Sequence, residues 1–329
     1  MRGSDTFDYP DTGIVLPENT SMAGTELVEL AVEAVEAGFD SVWCSEEWGY
    51  NAFALLARIN ERVPCTLGTS VVSAFSRTPS TLAASALTLQ EETRGRFILG
   101  IGTGTPEIVE GFHGTSFDRP LQRVRETLEI IDLGLSGQRL NYDGNSFSPE
   151  GFVLNHHQKR RVPIFNAAVG ATNIRMSVEY ADGIMPHLLP ISAIEDAIPR
   201  NERANDRERL RVYPVVPTVV GANSETARRT LSEYVAYCIG STHVFYDVLS
   251  THGFADTAAQ VREHWQQGDS EEAIEATTDE LLDEVGIAGT SEQARRRFVQ
   301  INDEVDGVLI AFPHEVDEKT VRRSLSALG

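Results

Sequence analysis

Lysine is almost missing from this chain of 329 residues: Lys159 and Lys319 are the only two, so the 28 basic residues are otherwise arginine. Against them stand 49 Asp and Glu, leaving a net charge of −21. Such a surface argues against a duplex nucleic-acid partner, because that binding depends on cationic groups that displace counterions. Cysteine is scarce too. Cys44, Cys65 and Cys238 lie far apart with no metal-ligand spacing, and the first two fall in apolar runs, so buried free thiols are expected. No apolar run is long enough to span a bilayer, and no charged-then-apolar leader opens the chain, so a soluble, cytoplasmic protein is expected. There is no H-E-x-x-H and no nucleophile elbow, and the acids form no metal-ligand pattern, so no metal is expected. One glycine is also missing. The run Gly100, Gly102, Gly104 continues to Thr105, where the dinucleotide fingerprint G-x-G-x-x-G needs its third glycine. It also lies about a third of the way along the chain rather than on a first strand, which argues against a Rossmann domain.

What is present is a regular alternation. Short, near-continuous apolar runs at 13–16, 41–44, 66–72, 97–101, 163–167, 183–185, 212–220 and 308–311 read as strands buried on both faces. Amphipathic stretches fill the gaps, among them 25–37, ended by Gly38, then 80–92 and 121–135. Ser224 and Ser291 read as caps that open two later helices. Eight strands alternating with helices imply parallel pairing, and the count of eight predicts an α/β fold closed as a (β/α)8 barrel, in one domain over 1–329. Two stretches break the repeat. Residues 141–155 carry turn signals and read as a hairpin insertion, and 237–289 reads as a helical insertion. The acid excess reads first as a solvated acidic surface; in a sharper reading, acid enrichment with so little lysine resembles halophilic archaeal proteins, and stability is then expected to rise steeply with KCl, as salt screens self-repulsion.

In such a barrel, chemistry sits at the carboxyl ends of the strands. The candidates there are Glu18 after the first strand, Ser45, Glu46 and Glu47 after the second, and His187 after the sixth. Adjacent strand residues point to opposite faces, so at most one of Glu46 and Glu47 faces the mouth. Either could equally be a solvated acid, and His187 could be a base or a hydrogen-bonded loop histidine. His156, His157, Lys159, Arg160 and Arg161 precede the fifth strand, away from this end, and read as surface. The small residues Ala168, Val169, Gly170, Ala171 and Thr172 join a strand to a helix, where backbone N–H groups can receive a phosphate.

Taken together, the strand ends "GFDSVWCSEEW", "LGTSVVSAFSRTP", "FILGIGTGTPE", "NAAVGATNIR" and "GIMPH", with the later "GIAGTSEQARRRF", resemble the luciferase-like flavin and deazaflavin oxidoreductases. Within them the likeness is to the coenzyme F420-dependent enzymes related to methylenetetrahydromethanopterin reductase. The resemblance implies the TIM-barrel fold, a dimer or tetramer, and hydride transfer between the deazaflavin C5 and a small organic substrate. It implies a cis peptide at Ser70–Val71 behind the cofactor ring. Ser45, Gly102, Thr103 and Gly104 would then line the cofactor, with its phosphate at Ala168–Thr172. Glu47, Glu46 and Glu18 become the acids to consider for proton delivery. Val15 and Thr105 stand where relatives carry acids, and Glu46-Glu47 replaces Asp-His. Two other readings follow: an FMN-dependent luciferase-like monooxygenase, and a barrel that binds a deazaflavin without turnover.

Overall fold

The computed structural model describes residues 7–17, 21–47, 49–155, 160–198, 210–314 and 316–329. Glu18 and residues 156–159 therefore lie outside the described residues. Strands β1 (Thr12–Val15), β2 (Ser41–Glu46), β3 (Thr66–Ser73) and β4 (Phe97–Gly102) alternate with helices Gly24–Ala37, Ala52–Asn60 and Pro79–Glu92. The short pair β5 (Leu140–Asn141) and β6 (Glu150–Phe152) is an antiparallel hairpin. Then follow β7 (Ile164–Asn166), β8 (Gly183–Ile184), β9 (Arg211–Val212), β10 (Val215–Val220), β11 (Ile287–Gly289) and β12 (Val308–Ala311).

Apart from the hairpin, the strands form one curled parallel sheet of ten, in the order β11-β10-β12-β1-β2-β3-β4-β7-β8-β9. The run expected as one strand, 212–220, is two. Tyr213 and Pro214 separate β9 from β10, and Pro214 has no N–H to give a ladder. Hydrogen bonds nevertheless continue through the break. Tyr213 and Val215 donate to Ile184 and Pro186, while Leu309 donates to the Pro214 carbonyl. A second correction concerns β11. It was expected within the helical insertion, but it pairs with β10.

Side chains alternate across each strand. One set, Val15, Trp43, Ile98, Phe165, Met185, Tyr213 and Leu309, packs together inside the curl. The opposite set, such as Ile14, Val42, Cys44, Leu67 and Leu99, packs against the surrounding helices. Small residues inside make room for large ones. A Cβ at Gly68 would collide with the Trp43 indole, and one at Gly183 with the Phe165 ring. Phe7 and Tyr9 pack against this inner cluster as well. Helices Ser224–Ser241, His243–Thr251, Ala255–Gln267 and Asp279–Val285 build a second cluster around Leu231, Val235, Ile239, Leu249 and Val261. Two helix caps sit one residue before their expected places. Asn223, not Ser224, accepts from the N–H groups of Glu225 and Thr226, and Thr290 forms the cap before Ser291. The three cysteines are buried and free.

Candidate active site at the strand ends

The end of β2 separates the paired carboxylates. Trp43 points into the curl and Cys44 out toward the helices. The alternation then carries Ser45 inward and Glu46 outward, and the strand ends there. Glu46 takes Arg77 with both oxygens at 2.7 Å, and accepts from the Ala52 N–H at 3.3 Å, where the next helix begins. Arg77 in turn lies over the Phe53 ring, 5.1 Å from its centroid. Glu46 thus ties the end of β2 to the loop after β3 and to a helix start. Glu47 follows the strand, and its charge adds to the larger effect of burial in raising the pKa values of Tyr234 and Tyr237 on helix Ser224–Ser241.

At the end of β3, the Ser70–Val71 peptide is cis, as the resemblance implied. One extra residue of β3 is accommodated here. The pairing with β2 steps from Cys44–Thr69 to Glu46–Val72, and that with β4 from Gly68–Ile98 to Val72–Ile101. Ser73 then donates to the Thr103 carbonyl at 3.0 Å, fixing the loop after β4. Gly102 is buried in that loop's base, where a Cβ would come within 2.7 Å of Val71 and 3.2 Å of Ala167. Gly104 has φ of 69°, which favours glycine. Ser45, Ser70, Val71, Thr103 and Gly104 are all partly exposed at this end.

The end of β7 is held from behind. Asn166 donates to Asn173 and Ser177, both at 2.8 Å, and Asn173 donates to the Ala167 carbonyl at 3.0 Å. These bonds pin the turn Ala167–Gly170 against helix Ala171–Tyr180. Gly170 is the cap residue of that helix. No side chain caps it, and a Cβ there would meet nothing within 4 Å. Ala168 is buried, while Ala171 and Thr172 are exposed. No side-chain cap therefore takes up the first N–H groups of this ten-residue helix.

His187, after β8, is the hydrogen-bonded histidine rather than a ready base. Nδ1 lies 2.8 Å from the Val215 carbonyl and Nε2 lies 2.8 Å from the Tyr234 hydroxyl. A carbonyl can only accept, so Nδ1 carries the proton and Nε2 accepts from Tyr234. Burial pushes its pKa down to about 4. Cys238 is hydrogen-bonded to the same phenol, and burial pushes its thiol up to about 12. Arg77, Tyr234, Tyr237 and His314 were not among the sequence candidates. The signal available was weak: Tyr234, Tyr237 and Cys238 share one helix face at spacings of three and four. Among the described residues no group of His, Cys, Asp or Glu is arranged to hold a metal ion.

The family model for luciferase-like monooxygenases matches residues 10–305. The chain belongs to the luciferase-like monooxygenase family. Among its relatives in this family is the Mycobacterium tuberculosis protein Rv3520c, provisionally assigned as a coenzyme F420-dependent oxidoreductase. It is 29% identical over 82% of this chain and 85% of its own length. The 5,10-methylenetetrahydromethanopterin reductase of Archaeoglobus fulgidus is 25% identical, over 90% and 91%. In three dimensions, the F420-dependent tetrahydromethanopterin reductase of Methanopyrus kandleri superposes with a TM-score of 0.78 over 97% of this chain and 98% of its own, at 19% identity. EDTA monooxygenase from Chelativorans sp. BNC1 gives 0.72 at 15% identity, over 98% and 92%. These two structures agree with the fold of a luciferase-like TIM barrel.

Proposed function

We propose that this protein is an oxidoreductase that binds coenzyme F420 at the carboxyl ends of its strands and catalyses hydride transfer to or from a small organic substrate. The observation that carries the reading is the open start of helix Ala171–Tyr180, reached through a turn of small residues and capped by no side chain. A helix N-terminus of this kind attracts a phosphate through its free N–H groups and its dipole. Ala168, Val169, Gly170, Ala171 and Thr172 would hold the phosphate. Ser45, Ser70, Val71, Gly102, Thr103 and Gly104 would lie against the ring system. Gly102 has no side chain because Val71 and Ala167 already fill that space, which draws the ends of β3, β4 and β7 together. F420-dependent relatives support this choice of cofactor.

We read the sheet as a closed eight-stranded barrel, with β9 and β10 acting as one strand. The hydrogen bonds on both sides of Tyr213–Val215 support that reading. When bound, the deazaflavin would supply or accept the hydride at C5; the protein's share is binding, orientation and exclusion of water. For a proton to be held or delivered we assign Glu47 first and Glu46, whose carboxylate accepts from Arg77, second. Glu18 remains a proposal without a described position. A methylene-tetrahydropterin is one candidate substrate, suggested by the named reductases. An FMN-dependent monooxygenase is the second reading, favoured by the monooxygenase among the structural neighbours.

Gly170→Asp tests the phosphate placement. Asp is a good cap at this position and the space is open, so stability is expected to hold or rise. Its carboxylate would occupy the N–H groups and repel a phosphate, so F420 affinity is expected to fall by at least about tenfold, equivalent to about 1.4 kcal/mol. Undiminished affinity in a folded variant would place the phosphate elsewhere.

A further inference from the structure

Apart from the residues assigned to the cofactor, a cavity of about 380 Å³ lies between helix Ser224–Ser241 and helix Ser291–Glu304, beside β11, the terminal strand of the sheet. That volume is in the range of small-molecule sites, about 300–1,000 Å³. The lining is polar and its charge is uneven. Arg228, Arg296 and Arg297 stand against two carboxylates, Asp283 and Glu284, and Ser224 adds a hydroxyl.

Most of these charges are already engaged. Arg228 donates to the Asp279 and Asp283 carboxylates, both at 2.7 Å, and to the Asp279 carbonyl at 3.0 Å. Arg296 donates to Glu292 at 3.1 Å. Glu284 accepts from the Ser192 N–H at 2.9 Å. Arg297 differs from them. It makes no ion pair among the described residues, and its Nε is shielded from solvent with no hydrogen-bond partner there. An N–H withheld from water without an acceptor is unfavourable, so such groups normally have a partner. In a chain with 49 acidic residues, an arginine paired with none of them is out of keeping with the rest.

We propose that this cavity binds a phosphate group, free or carried by a small organic molecule, and that Arg297 is its principal contact. The guanidinium presents five N–H donors in a planar fork that matches the oxygens of phosphate. A bound oxygen gives Nε the acceptor it lacks, in a charge-assisted hydrogen bond. Arg228 and Arg296 add positive field, and the Ser224 hydroxyl is a further donor. The net charge of −21 repels an anion at long range. Molar salt shortens that reach to about 3 Å, and within the cavity three arginines outnumber two carboxylates. The site is separate from the helix start at Gly170, to which the cofactor phosphate is assigned, and does not depend on it.

The test is calorimetric titration of the full chain with inorganic phosphate and with glycerol 3-phosphate, each replacing KCl at constant ionic strength. The expected result is a saturable site that persists in Gly170→Asp and is weakened at least about tenfold in Arg297→Gln. Arg297→Lys keeps the charge without the fork, and should retain part of the affinity that Arg297→Gln loses. Arg297 gives up no hydrogen bond or ion pair within the chain, so both variants should melt close to the parent protein. Phosphate should then raise the melting temperature of the parent and of Gly170→Asp more than that of Arg297→Gln. Tighter binding of glycerol 3-phosphate would support a phosphomonoester as the ligand, and tighter binding of inorganic phosphate the free ion. Binding lost in Gly170→Asp but kept in Arg297→Gln would place the phosphate at helix Ala171–Tyr180 and overturn the proposal. Affinity that is the same in folded Arg297→Gln as in the parent overturns it too, and so does failure of both ligands to bind.

Discussion

Position on an alternating strand decides what a side chain can do, and the residues of β2 show it. Glu46 points outward and finds Arg77, so it organises loops; Trp43, three residues back, points into the curl and packs its core. His187 shows the same logic through burial. Its two ring nitrogens are engaged, and its pKa of about 4 lies below the ordinary value of about 6.5. The unfolded chain therefore binds the extra proton more readily between those values. Stability from this group is complete above pH about 6.5 and is lost as pH falls toward 4, by up to about 3 kcal/mol. Urea unfolding across that range should show His187→Asn losing less stability with acid than the parent protein. Parallel pH profiles would show that His187 is not desolvated as described. Packing inside the curl is equally local. Gly68→Ala would press a methyl group into Trp43, and about 1–3 kcal/mol of stability should be lost to overpacking. An unchanged denaturation midpoint would mean that the indole has room to move.

Elements were legible where their residues report their surroundings directly. Strands buried on both faces read as continuous apolar runs, so β1 to β4 and β12 fell close to their expected bounds. β11 hid because it is three residues long, ends in glycine and follows a charged helical stretch. The break between β9 and β10 hid because Val212 and Val215 look alike in sequence, and only Pro214 between them, which has no N–H to give, marks the interruption. At the site, the turn 168–172 was legible from small residues alone. Arg77 was not, because it meets Glu46 from 31 residues away. The contact of His187 with Tyr234 was invisible for the same reason: the two are 47 apart. The hairpin is the element whose attachment is most exposed to test. Glu126 is fully buried and accepts from the N–H groups of Asn145, Ser146 and Phe147. Burial alone would raise its pKa, but these bonds and Gln122 outweigh it and hold the carboxyl below the ordinary range. Glu126→Gln exchanges charged for neutral hydrogen bonds and should cost about 1–3 kcal/mol, with faster amide exchange confined to residues 141–155. Uniformly faster exchange throughout the chain would contradict a local anchor.

At the scale of the whole molecule, the excess of acid over base gives a net charge of −21, and repulsion within the compact state follows. Salt shortens the reach of that repulsion from about 10 Å at 0.1 M to about 3 Å at 1 M. The melting temperature should therefore climb steeply between dilute buffer and molar KCl. A flat profile would contradict the salt-adapted reading. Among the described residues no helix is long and apolar enough to cross a membrane. The family membership, the open helix start at Gly170 and the acid at Glu47 converge on one question, which is what cofactor the strand ends hold. A fluorescence titration in molar KCl with coenzyme F420, and separately with FMN, answers it most directly. Micromolar binding of the deazaflavin with little affinity for FMN is the expected result. Preference for FMN, or binding of neither, would contradict the account.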